Sequence, residues 1–208
     1  MEKIWLKSYP SEVPHTIDPD QFRSLNHLLE DSMRRNATRP FSVCMDQWMS
    51  YGELDVLSEA MAAWLQSVGL EPGARVAIML PNIPQFAVTM AAVLRGGFTC
   101  VNVNPLYTAR ELEHQLKDSG ATAIVILENF AHTLESVIEK TAIKHVAVAS
   151  MGDLLGFWQG RWITFAVRHL AKMVPAFKLS LNSGRTVAHF KDCLSLGASR
   201  KLSQPTVT

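Results

Sequence analysis

The sequence predicts an α/β protein with a doubly wound parallel sheet and βαβ crossovers. Three observations predict it. Short apolar runs of strand length recur along the middle of the chain, and segments of helical periodicity, about 10 to 15 residues long, separate them. The runs are apolar on both faces, as in strands covered by helices on both sides. With 208 residues, 48% of them hydrophobic, the chain can build such a core and is too apolar for a disordered protein.

The amino-terminal segments come first. Residues 1–23 hold three prolines, at positions 10, 14 and 19, and are predicted to form an extended arm without a core of its own. From Ser24 onward, leucines at helical spacing predict a short helix. Residues 40–45 are predicted to form a strand, with Trp48 and Met49 in a hairpin partner. The arm therefore leads into a helix and a hairpin.

Two capping boxes mark the starts of later helices. Ser50 with Glu53, and Thr108 with Glu111, place a hydroxyl and a carboxylate three residues apart, so that each can satisfy free N–H groups of a helix start. The first predicted helix ends near Gly69, and the second runs through residue 117.

Strands and helices alternate from residue 75 onward. Strands are predicted at 75–80, 98–103, 122–127 and 145–149, and further helices at 85–95 and 130–140. Residues 24–150 therefore form the predicted α/β unit.

The last quarter of the chain differs in charge. Residues 1–153 carry 12 Lys and Arg against 18 Asp and Glu, whereas residues 154–208 carry eight basic residues and one acid, Asp192. Over 151–208 we expect a basic amphipathic helix across residues 161–174, followed by an irregular tail without a closing element. Two interpretations of this helix are open. It is a surface helix whose cations are solvated, or its cations contact an anionic membrane together with tryptophans. Two tryptophans are poorly suited to reading bases, so no nucleic-acid partner is expected.

Motifs of several enzyme classes are missing from the sequence. It contains no GxGxxG or GxxxxGK[ST] phosphate loop, no HExxH metal motif and no GxSxG nucleophile elbow. The three cysteines lie far apart and are predicted to be free thiols of a reducing compartment. The start of the sequence has no apolar signal segment, which favours a cytoplasmic location.

Two polar loops follow predicted strands, where parallel sheets place their ligands. Residues 81–84 and 102–107 are rich in proline and asparagine. These residues either terminate the strands as ordinary turns or border a ligand crevice.

Several stretches together resemble a known family. They are MSYGEL at 49–54, PGARVA at 72–77, LPN at 80–82 and VNVNPLYT at 101–108. In this order and spacing they resemble the amino-terminal region of adenylate-forming, AMP-binding enzymes, and more narrowly that of bacterial long-chain fatty acid–CoA ligases. The resemblance implies an incomplete part of the large amino-terminal domain of such an enzyme.

The resemblance also implies an activity for the complete enzyme. A fatty acid and ATP, with Mg²⁺, give an acyl-adenylate, and the thiol of CoA then forms the thioester. The sequence stops before the phosphate loop would begin, so the catalytic residues are expected outside it and the chain is expected to be inactive alone. The resemblance places Asn104 and Tyr107 near bound CoA. It also implies peripheral contact with the inner face of the membrane, for which the basic helix offers Arg161, Trp162, Arg168 and Lys172, and it allows a homodimer of the complete enzyme.

Two alternatives remain open from the sequence. One is a stand-alone α/β interaction module that docks on a membrane or a protein through its basic helix. The other, within the same superfamily, is activation of aryl or amino acids instead of fatty acids.

Overall fold

A five-stranded parallel sheet organises the chain in the computed structural model, which describes residues 3–179 and 184–203. In chain order the elements are α1 (Leu25–Arg35), β1 (Pro40–Cys44), β2 (Gln47–Ser50), α2 (Tyr51–Ser67), β3 (Arg75–Met79), α3 (Pro84–Arg95), β4 (Thr99–Asn102), α4 (Ala109–Ser119), β5 (Ala123–Leu127), α5 (Ala131–Glu135), β6 (His145–Ala149), α6 (Phe157–Phe165), β7 (Thr186–His189) and α7 (Phe190–Ala198). Strands β1 and β2 form a separate antiparallel hairpin.

The strand order of the sheet is β4-β3-β5-β6-β7, with every pair parallel. Alternate residues of β3 serve two cores: Val76 and Ile78 face the layer that contains α2, α3 and α7, while Ala77 and Met79 face α4 and α5. Burial on both faces explains why the strands are almost continuously apolar. The predicted doubly wound parallel sheet is confirmed.

The two capping boxes form as predicted. The N–H of Glu53 donates to Ser50 Oγ at 3.1 Å, and the N–H of Ser50 donates to Glu53 Oε2 at 2.7 Å. Thr108 and Glu111 repeat this exchange at the start of α4. These hydrogen bonds lower the pKa of both glutamates below the usual value, because they stabilise the carboxylate form.

The prediction of an irregular tail after the basic helix is wrong for residues 186–198. Strand β7 extends the sheet beside β6, with Val187 opposite Val146. Helix α7 then packs on α2 and buries Phe190, Cys193 and Leu194. The sequence signal is weak because β7 has only four residues and α7 includes a glycine. Packing against α2, and not intrinsic helix propensity, therefore determines this helix.

The predicted helix over residues 130–140 is also wrong in part. The segment consists of a 3₁₀ turn (Glu128–Phe130), the short α5, and a second 3₁₀ turn (Ile138–Lys140). The Ser136 hydroxyl donates to the carbonyl of Thr133 at 2.7 Å, and the N–H of Val137 bonds only three residues back, to Leu134. Local bonds of this kind compete with the α-helical pattern and end α5 early.

Candidate functional site

The carboxyl ends of the strands form the candidate site. The connections of the sheet reverse direction between β3 and β5, and ligands of such sheets bind outside the carboxyl ends near this point. Glu128 directly follows β5, and Ser150 directly follows β6. Beside them lies an open cavity of about 470 Å³. Its lining comes from the loop after β6, from α6 with the turn that follows it, and from the region where β7 meets α7: Ser150, Asp153, Gly160, Arg161, Thr164, Phe165, Arg168, His169, His189, Lys191 and Asp192.

An ion pair between a half-exposed arginine and a buried glutamate lies at the edge of this cavity. The Arg168 guanidinium donates to Glu128 Oε2 through Nε at 2.8 Å and through Nη2 at 2.5 Å. Nη2 also donates to Ser150 Oγ at 3.1 Å. Glu128 is only 2% exposed, so its carboxylate depends on Arg168 for compensation of its charge. The pair joins the segment after α6 to the ends of β5 and β6.

Further polar groups surround Ser150. Gln85, fully buried on α3, donates through Nε2 to the carbonyl of Ser150 at 2.8 Å. The N–H of Ser150 donates to Asp153 Oδ2 at 2.7 Å. Burial raises the pKa of Asp153 above its usual value, and the hydrogen bond from Ser150 partly offsets this effect. The loop after β6 is therefore held by hydrogen bonds to both backbone groups of Ser150, from Gln85 on α3 and from Asp153 within the loop.

The basic helix begins earlier than predicted and changes form midway. Helix α6 starts at Phe157, and residues 166–170 continue it as a π-helical turn, in which the N–H of Ala171 donates to the carbonyl of Ala166 at 2.8 Å. The wider π turn changes the angle between successive residues. The predicted single cationic stripe over 161–174 is therefore not maintained: Arg168 points inward to Glu128.

Helix α6 rests on the body of the protein through a contact between two glycines. A Cβ atom at Gly160 would lie 2.2 Å from the carbonyl oxygen of Gly152, and a Cβ at Gly152 would lie 2.0 Å from the carbonyl oxygen of Gly160. Of the α6 residues, all of which the structure describes, Gly160 is the buried one. The close approach of the two backbones leaves the large side chains of α6 outside the core, and Trp158 is 80% exposed.

The four residues predicted to contact a membrane therefore lie in different surroundings. Trp162 is 61% exposed and stacks with Phe165. The Arg161 guanidinium lies 5.6 Å from the centre of the Phe157 ring. Lys172 is exposed just after the π turn, and Arg168 is held by Glu128.

Asn104 and Tyr107 lie in one tight turn after β4. Asn104 Oδ1 accepts from the N–H of Leu106 at 3.0 Å, and the Asn104 carbonyl accepts from the N–H of Tyr107 at 3.1 Å. Tyr107 packs on the core beneath α4, while Leu106 is exposed. The asparagine thus has the turn-forming role that its residue type favours.

A second open cavity, of about 560 Å³, lies at the start of α4, the helix that follows this turn. Its lining residues are Thr108, Arg110, Glu111 and His114, from the first turns of α4. No function was predicted for Arg110 or His114 from the sequence, because charged and polar residues are usual on the exposed face of a helix. Across the described part of the chain, no cluster of three or more His, Cys, Asp or Glu side chains could hold a metal ion. The same residues contain no helix long and apolar enough to span a membrane.

Comparison with known proteins places this fold in a family. The sequence profile of AMP-binding enzymes matches residues 29–171, more than half of the chain. The chain belongs to the AMP-binding enzyme family. The matched range includes the whole sheet except β7, both capping boxes and the Asn104 turn.

Curated relatives in this family are longer than the chain. A long-chain-fatty-acid–CoA ligase of Escherichia coli O157:H7 is 49% identical over 180 residues, which are 86% of this chain and 32% of the relative. The ligase of Haemophilus influenzae is 40% identical over 209 residues, covering 100% of this chain and 36% of the relative. The chain thus spans about a third of the length of these relatives.

Solved structures support the fold. The crystal structure of a putative long-chain-fatty-acid CoA ligase from Rhodopseudomonas palustris matches with a TM-score of 0.65 at 18% identity, covering 90% of this chain and 39% of that chain. A long-chain-fatty-acid-CoA ligase from Archaeoglobus fulgidus matches with a TM-score of 0.56 at 24% identity, covering 68% and 29%. At these identities the likeness establishes the fold of the AMP-binding family.

Proposed function

We propose that this chain acts as the amino-terminal part of a long-chain fatty acid–CoA ligase. The observation that carries the proposal is the 49% identity to a curated ligase across most of the chain. In the proposed reaction the fatty acid carboxylate attacks the α-phosphate of ATP, with Mg²⁺, giving acyl-adenylate and pyrophosphate. The CoA thiol then attacks the acyl carbonyl, giving the thioester and AMP. The chain covers 32% of this relative, and we propose that the residues that hold the triphosphate lie in the remainder.

A chimera tests this proposal. Replacing the matching third of the Escherichia coli relative with this chain is expected to retain fatty acyl-CoA formation, because the two sequences are 49% identical over this region. The chain alone is expected to release no pyrophosphate from ATP and a fatty acid. Thioester assays on both proteins measure these outcomes.

Each contrary result has a distinct meaning. Pyrophosphate release by the chain alone would contradict its predicted inactivity. A folded but inactive chimera would contradict the proposed function. A chimera active on benzoate or an amino acid and not on fatty acids would favour the alternative substrate classes.

We also propose that the turn at Asn104 and Tyr107 lies beside bound CoA. Thr108, the residue after this turn, lines a cavity together with Arg110 and His114, and a guanidinium is suited to the phosphates of CoA. In the active chimera, Tyr107→Ala is expected to raise the KM for CoA about tenfold, while the KM for ATP stays within about twofold. Lys201→Ala, on an exposed residue after α7, is the control. Equal changes in both KM values would contradict a specific CoA contact.

A peripheral membrane contact is the third part of the proposal. Arg161, Trp162 and Lys172 combine exposed cations with an exposed indole ring, and the sequence has no Asp or Glu between Asp153 and Asp192. Such a surface is suited to anionic lipid headgroups, each cation near the membrane contributing about 1 kcal/mol. Arg168, the fourth predicted contact, would first have to leave Glu128.

Vesicle flotation tests this contact. The double variant Arg161→Glu with Lys172→Glu is expected to reduce binding to phosphatidylglycerol vesicles by at least tenfold. The control, Arg200→Glu with Lys201→Glu, makes the same change in net charge after α7 and is expected to bind like the parent. Equal binding by both double variants would contradict the proposal. Vesicle binding combined with an inactive chimera would instead favour the stand-alone docking module.

A further inference from the structure

The turn of the β1–β2 hairpin lies against the first turn of α6. Gln159 Nε2 donates to the carbonyl of Met45 at 2.6 Å, although the two residues are 114 positions apart. A Cβ at Gly156 would lie 3.4 Å from Gln47 Oε1, an ordinary contact distance. Met45 and Asp46 both have positive φ, the backbone of a tight hairpin turn. The hairpin and the start of α6 therefore present neighbouring surfaces.

The outer face of the hairpin is apolar and uncovered. Val43 and Trp48 lie directly opposite each other across the two strands. Trp48 is 60% exposed, and Val43 and Met45 are about half exposed. The opposite face packs on the core through Met49 and Phe41. An exposed pair of large apolar side chains is unusual on a water-facing sheet, where polar residues alternate outward.

The surface of α6 has the same character. Phe157 and Trp158 lie in a T-shaped contact at 5.1 Å, and both are largely exposed. Arg161 lies over Phe157 and adds positive charge to these rings. Indole rings beside cations suit the interface of an anionic bilayer, where the ring lies among headgroups and the charge meets phosphate.

We propose that the hairpin is the second half of the membrane-contacting surface, with Trp48 entering the interface together with the aromatic residues of α6. This inference rests on the membrane contact proposed above. It adds a contact from a segment 110 residues away in sequence, outside the basic helix. It commits to an anionic lipid bilayer as the occupant, because the guanidinium of Arg161 lies over the exposed Phe157 ring of α6 and can meet lipid phosphate. Two acids lie near the proposed surface: Asp46 at the hairpin turn, and Glu53, which lines a cavity together with Trp48.

Partition of the purified chain into phosphatidylglycerol vesicles tests the inference. Trp48→Ala and Trp162→Ala are each expected to weaken partition about tenfold, because each removes a large apolar ring from the lipid interface. Trp5→Ala, at a half-exposed tryptophan of the amino-terminal arm, is the control and is expected to bind like the parent. Trp48→Phe retains an aromatic ring and is expected to lose less affinity than Trp48→Ala.

The outcomes separate the two proposals. If Trp162→Ala weakens partition and Trp48→Ala does not, the hairpin inference is wrong and the contact through α6 stands. If neither variant changes partition, both proposals are wrong. Thermal unfolding followed by circular dichroism checks the fold of each variant. Should Trp48→Ala fail to fold, Trp48→Thr decides, because threonine suits an exposed strand position and lacks the ring: partition equal to that of the parent would overturn the inference.

Discussion

Gly197→Ala is expected to destabilise the chain by about 3 kcal/mol or more, the upper end of the usual range for overpacking. A Cβ at this position would lie 1.8 Å from the carbonyl oxygen of Ala60 and 2.7 Å from its carbonyl carbon. Both are backbone atoms of α2, so no side chain can rotate away. Helix α7 would have to move and expose Phe190 and Leu194. The free energy of unfolding in urea measures the effect.

Helix propensity alone would predict the opposite result, a gain in stability on Gly197→Ala. In an exposed helix, replacing glycine with alanine stabilises by about 1 kcal/mol. Ala198→Val, at the exposed next residue of α7, is the control and is expected to change stability by about 0.5 kcal/mol at most. A Gly197→Ala chain as stable as the parent would contradict the close packing of α7 on α2.

Arg168→Met is expected to destabilise the chain by about 3 kcal/mol at neutral pH, at the lower end of the range for breaking a buried ion pair. The variant leaves the Glu128 carboxylate, whose side chain is 3% exposed, without its cation. We place the effect at the lower end because the Arg168 side chain itself is 39% exposed. Adding Glu128→Gln to Arg168→Met removes the unpaired negative charge, and the double variant is expected to regain most of the lost stability.

Arg161→Met is the matched control for this cycle. It makes the same change on the exposed surface of α6 and is expected to change the free energy of unfolding by about 0.5 kcal/mol at most. Urea unfolding of the parent, of Arg168→Met, of Glu128→Gln and of the double variant gives the coupling energy between Arg168 and Glu128. A coupling energy near zero would mean that the ion pair does not stabilise the junction between the π turn and β5.

Local signals account for the parts of the fold that the sequence predicted. Ser50 with Glu53 and Thr108 with Glu111 each satisfy backbone groups within four residues, so the pattern and the structure coincide. Strand β5 is apolar at all five positions, which is typical of a strand covered on both faces. The missed elements depend on distant contacts: β7 pairs with β6 about 40 residues earlier, and α7 packs on α2 more than 120 residues earlier.

The same distinction applies to the candidate site. The Asn104 turn was recognised because asparagine forms such turns with its own neighbours. Arg168 was assigned outward by helical spacing, yet its partner Glu128 lies 40 residues earlier and no periodicity indicates it. A glutamate directly after a fully apolar strand was the available signal, since a buried carboxylate requires a partner. The exposed hairpin face gave no sequence signal, because alternation in a four-residue strand does not say which face is covered.

The π turn at residues 166–170 limits how the length of this segment can change. Successive residues of an α-helix are rotated by about 100°. Deleting one residue here would restore regular α-helical bonding and carry Arg168 round to another side of the helix, away from Glu128. Surface segments usually tolerate insertions and deletions. In this segment the contact between Arg168 and Glu128 requires the present number of residues. Among natural variants of this sequence, substitutions should therefore be common around the π turn, and single-residue gaps should be rare.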